Sequence, residues 1–85
     1  MTYIKDGTEY LNAQEMQVYR TIQRLNVQRR STNNSQIANS SGISRTAVGS
    51  VTTGLRRRGF IRNVSRGAAY HWRLTAKPAL TEQEN

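Results

Sequence analysis

Ser35-Gln36-Ile37-Ala38-Asn39-Ser40-Ser41-Gly42-Ile43-Ser44 decides the reading of this 85-residue chain. Ile37 and Ala38 are the apolar pair of a short helix expected over residues 34–40. Asn33 is placed as its N-cap, with Gln36 at N3 to complete a capping box. Gly42 falls where a tight turn benefits from freedom at positive φ. Ser44 then caps a longer helix, expected over residues 45–58 and ended by Gly59 at C′. Its inward stripe is Val48, Val51 and Leu55, with Thr52 at the edge, and Ile43 pairs with Val48 across the cap. Gly49 and Gly54 oppose the helix by about 1 kcal/mol each relative to Ala, against which stand the caps and the apolar spacing.

Upstream, Asn12 and Glu15 form another capping box, with Leu11 and Met16 placed as a hydrophobic staple across it. Val18, Tyr19, Ile22 and Leu25 recur at helical spacing, so a core helix is expected over residues 13–28, with Arg20 and Arg24 beside its apolar face. Residues 29–33 are a polar break. Before the helix, Thr2–Lys5 and Thr8–Leu11 flank Asp6-Gly7, a type I′ turn signal that sets Tyr3 opposite Tyr10 and Lys5 opposite Thr8. Downstream, Phe60–Val64 and Ala69–Thr75 are strand-like, joined by a turn at 65–68. Tyr70, Trp72 and Leu74 alternate with His71 and Arg73, which places Tyr70 and Trp72 in the core in preference to a platform for stacking the bases of a single strand. The organisation expected is α+β in one domain: a hairpin or arm at 1–11, a body at 12–76 and a disordered tail at 77–85.

The charge pattern is one-signed. The net charge is +8, and residues 16–81 hold twelve of the thirteen Lys and Arg and no Asp or Glu. Such a body favours a polyanionic partner. Eleven of the cations are Arg, which can grip phosphate or guanine with two donors where Lys is a point charge. A membrane-surface helix would need a broad apolar face opposite its basic one, and no apolar run approaches the ~20 residues of a spanning helix. With no cysteine and no apolar leader at the N-terminus, the expected location is the cytoplasm, associated with the nucleoid.

Gln36-Ile37-Ala38, Gly42-Ile43-Ser44, Ala47-Val48, Leu55 and Gly59-Phe60-Ile61 together resemble the winged helix-turn-helix superfamily, with spacing similar to MarR-type regulators and LexA-type DNA-binding domains. The likeness covers roughly residues 12–75. Thr52 departs from the bulky apolar residue usual there, and the long flanking dimerisation helices of MarR proteins are absent. The resemblance implies three helices followed by a β-hairpin wing, and a duplex-DNA-binding regulator of transcription. In this arrangement the second helix of the motif enters the major groove.

The face opposite the inward stripe then offers Arg45, Thr46, Ser50 and Thr53 for base contact, with Gly49 and Ser50 small enough for the backbone to come close. Expected backbone or wing contacts are Arg29, Arg30, Ser31, Ser44, Gly49, Arg56, Arg57, Arg62, Arg66 and Arg73. Residues 56–58 span too much of the helix circumference to point one way, so one Arg is expected to lie over the core edge with its stem packed. A homodimer through the Tyr3–Tyr10 hairpin would add the contact area a single small domain lacks.

Other chemistry finds little support. The single histidine, His71, has no carboxylate near it in sequence. Asp6, Glu9, Glu15, Glu82 and Glu84 lie outside the basic body, poorly placed to gather around metal ions, and no Walker-type loop is present. Neither an enzyme, a cofactor nor a metal is expected. Two rival readings remain: a module whose target is another protein, and a nucleic-acid binder indifferent to sequence.

Overall fold

Helix ends in this chain are closed by local chemistry, and the caps fix the element boundaries. The computed structural model describes residues 3–5, 8–67 and 70–81. Helix α1 runs Ala13–Val27, α2 Asn34–Ser41 and α3 Arg45–Arg57. At the start of α1, Asn12 Oδ1 accepts the Glu15 N–H at 2.8 Å and Glu15 Oε1 accepts the Asn12 N–H at 2.9 Å, so two otherwise orphaned donors are satisfied. Asn33 Oδ1 accepts the Gln36 N–H at 2.9 Å, but the return bond from Gln36 is not made, so the expected second box is only half a box. Ser44 Oγ accepts the Ala47 N–H at 3.2 Å.

The C-termini of α1 and α3 close alike. Phe60 N–H reaches the Leu55 carbonyl at 2.9 Å and Gly59 N–H the Arg56 carbonyl at 3.1 Å, with Gly59 at φ +81. After α1, Arg30 N–H reaches the Leu25 carbonyl at 2.9 Å and Arg29 N–H the Asn26 carbonyl at 3.1 Å. There the left-handed residue is Arg29, at φ +57, a conformation that costs a residue with a Cβ about 1–2 kcal/mol.

Two antiparallel hairpins complete an α+β chain. The first pairs β1 (Tyr3–Lys5) with β2 (Thr8–Tyr10), in the expected register of Tyr3 opposite Tyr10 and Lys5 opposite Thr8. Its Asp6-Gly7 turn lies outside the described residues. The second pairs β3 (Ile61–Asn63) with β4 (Trp72–Leu74). Both strands are shorter than expected, because Phe60 belongs to the helix-ending turn, and Asn63 Oδ1 accepts the Ser65 and His71 N–H groups and opens the ladder into a loop. Ala68 and Ala69 lie outside the described residues.

The outer edge of β4 is paired by side chains. Asn26 Nδ2 donates to the Trp72 carbonyl at 3.1 Å while its Oδ1 accepts the Leu74 N–H at 3.3 Å. The buried Thr32 hydroxyl donates to the same carbonyl at 2.7 Å and accepts the Trp72 N–H at 2.8 Å. Two side chains thus take the place of a third strand and clip the hairpin to α1.

The core lies between the three helices and the inner face of β3 and β4, built on Val18, Ile22, Ile37, Val48, Leu55, Phe60 and Trp72. Helix α2 packs on α1 and α3, β4 lies on α1, and β3 lies on α3. Thr52 is not at the edge, as expected, but 1% exposed. Its hydroxyl donates to the Val48 carbonyl at 2.9 Å, and 3.3 Å away is Asn34 Oδ1, which also accepts the indole N–H of Trp72 at 2.9 Å. A threonine fits this core because its single polar atom is satisfied.

Within the stretch expected as a tail, Leu80 O accepts the Leu11 N–H at 2.7 Å, Ala79 packs against the core, and Lys77 reaches Glu9, the Arg58 carbonyl and the Phe60 ring. No helix among the described residues is long and apolar enough to cross a membrane.

Candidate nucleic-acid interface

Helix α3 turns its apolar stripe inward, so the remaining positions are presented outward. Arg45, Thr46, Ser50, Thr53, Arg56 and Arg57 are all exposed. The hydroxyls of Thr46 and Ser50 have no partner among the described residues and can donate or accept. Thr53 differs: its hydroxyl donates back to the Gly49 carbonyl at 2.8 Å, which leaves it lone pairs and a methyl group to offer outward. A base facing Thr53 is therefore best met as an N–H donor, such as the amino group of C or A, or through the methyl of T. Ser44 is exposed with its oxygen engaged by the cap, and its proton is still available to an anion.

Gly49 departs from the expected outward placement. It is half-buried, and a Cβ built on it would meet Asn34 Nδ2 at 3.8 Å, an ordinary contact. That flank of α3 therefore faces α2. Gly49→Ala is expected to stabilise the domain by about 1 kcal/mol, raising the melting temperature by roughly 4–8 °C. A thermal melt checks this, and an unchanged or lower midpoint would mean that the flank cannot accept a methyl group.

The three consecutive arginines diverge. Arg56 lies over the ring of Tyr70, 5.5 Å from its centroid, and Arg58 Nη1 turns back to the Gly54 carbonyl at 3.5 Å. Arg57 has no carboxylate partner among the described residues. Tyr70 itself is 46% exposed, contrary to the alternation that placed it in the core. It meets the buried Trp72 edge to face at 5.2 Å, because the ladder ends before residue 70 and the period-2 rule no longer applies. The accessible ring is the stacking alternative that the alternation sets aside, and its pairing with the Arg56 guanidinium is new. Arg56 becomes a neighbour of Tyr70 only through folding, so nothing in the sequence signals that pairing.

On the hairpin, Arg62 and Arg73 are direct cross-strand partners and both exposed. Arg66 is exposed on the loop beyond them. Beside β4, Asn26, Arg29, Arg30, Thr32, Val64, His71 and Arg73 line an open groove of about 460 Å³. Ser31 Oγ lies 3.3 Å from His71 Nδ1 at its margin. Among the described residues the two carboxylates are engaged elsewhere: Glu9 by Lys77 and Glu15 by its cap. Arg24 and Gln17 donate to the terminal carbonyls of α2 at Ser40 and Ser41, a scaffold role suited to the negative end of a helix. Among the described residues no group of three or more His, Asp or Glu could hold a metal ion. The fold thus gathers the expected contacts into two sets, the outward face of α3 and the outer face of the hairpin with the 29–31 loop.

No protein-family model, curated protein or solved structure matches this chain.

Proposed function

We propose that this chain is a winged-helix protein that binds duplex DNA and regulates transcription. In this reading α3 lies in the major groove, and the hairpin carrying Arg62, Arg66 and Arg73 is the wing beside it. The observation that carries the reading is the outward surface of α3. It exposes Arg45, Thr46, Ser50, Thr53 and Arg57 on a segment that holds no acidic residue. An ordinary solvated helix surface mixes both signs. The topology supports the same reading, since β3 follows directly on the Gly59 turn and packs on α3.

Arg57 is assigned to phosphate, and Thr46 and Ser50 to base edges. Arg57→Ala should weaken binding to all duplexes alike and lower the salt slope by about 1. Thr46→Val and Ser50→Ala should instead change which sequences are enriched from a random duplex pool at about 150 mM salt, a concentration at which condensed counterions already compete strongly. Identical enriched motifs from parent and both variants would remove the base-readout assignment, and absence of any enrichment would leave a binder indifferent to sequence.

A further inference from the structure

The groove beside β4 gathers positive charge. Arg62 and Arg73 face each other across the ladder, where opposed Cβ atoms lie about 4.5–5.5 Å apart and like charges destabilise. Arg29 and Arg30, in the loop after α1, line the same groove as Arg73. Arg29 holds a left-handed backbone at φ +57, where glycine would be relaxed. No carboxylate among the described residues answers any of the four.

We infer that this groove is a phosphate-binding site, with Arg29, Arg30 and Arg73 as ligands, and that a nucleic-acid backbone occupies it independently of the face of α3. Arginines that line one groove from two segments of the chain can grip a phosphate with paired donors. The His71 ring and Ser31 hydroxyl, 3.3 Å apart, border the same space and add polar partners. The side chains of Asn26 and Thr32 spend their polar atoms on β4 and hold one wall rigid. The groove lies beside β4, which packs on α1, while β3 packs on α3. Only the source of the phosphate rests on the DNA-binding reading; the site itself does not.

Calorimetric titration with inorganic tripolyphosphate tests the groove directly, on the parent protein and on Arg29→Gly, Arg73→Gln and Arg58→Gln. Affinity should fall about tenfold in each groove variant, the loss of one charge-assisted contact, and hold in Arg58→Gln, whose exposed arginine lies outside the groove. Arg29→Gly should at the same time raise the melting temperature by roughly 4–8 °C, so its weaker binding cannot come from unfolding. Equal affinity across all four proteins would overturn the site. Saturating duplex DNA should displace the tripolyphosphate; simultaneous binding of both would overturn the nucleic-acid assignment. If the parent protein bound tripolyphosphate but no duplex, the DNA-binding reading would fail while the groove stood.

Discussion

Trp72→Ala is expected to cost about 3–5 kcal/mol of unfolding free energy, the range for truncating a buried aromatic. A domain of this size has only about 4–13 kcal/mol in total, so roughly a quarter or more of its stability rests on one side chain. Trp72 is 2% exposed and meets three elements at once. Its ring belongs to the core beneath α1 and α3, its main chain is held by Asn26 and Thr32, and its indole N–H reaches Asn34 at the start of α2. Removing the ring leaves a cavity and takes from Asn34 Oδ1 its closer donor. Trp72→Phe separates the two effects, because it refills most of the volume and loses only the hydrogen bond, at about 1–2 kcal/mol. Urea unfolding followed by far-ultraviolet circular dichroism reads both variants. A Trp72→Ala domain within 1 kcal/mol of the parent would contradict the central place given to this residue.

That network marks the boundary of what the amino-acid order reveals. The helices were legible because their signals are local: Asn12 with Glu15, Ser44 with Ala47 and Gly59 with Phe60 act within a few residues. The N-terminal register followed from turn length alone. By contrast, Asn26 and Thr32 pair with a strand 40 to 48 residues away, and nothing near them in sequence distinguishes them from loop polar residues. Thr52 read as an edge residue because its hydroxyl suggests solvent, and its partners Val48 and Asn34 come together only by helix packing. Arg29 could not be seen as a left-handed residue, since glycine is the usual sign of that backbone. On the candidate interface, exposure of the α3 positions followed from period 3.6, whereas the meeting of Arg29 and Arg30 with Arg73 is tertiary.

Duplex affinity is expected to fall about a thousandfold between 50 and 200 mM salt, the effect of roughly six phosphate contacts. Exposed cations on α3, the 29–31 loop and the hairpin number eight: Arg29, Arg30, Arg45, Arg56, Arg57, Arg62, Arg66 and Arg73. Each contact releases condensed counterions, so the logarithm of affinity should fall with that of salt at a slope near −5 if six engage. The slope also discriminates within the surface. Arg57→Ala and Arg73→Gln should each reduce it by about 1, and the double variant by about 2, if α3 and the hairpin groove contact separate phosphates. A double variant no shallower than either single one would mean that the two arginines share a phosphate, contrary to an independent groove. Fluorescence anisotropy on one labelled duplex across a salt series supplies the measurement. A slope near −1 in the parent would leave a single phosphate contact and would remove duplex DNA as the partner of this basic surface, whatever its helices resemble.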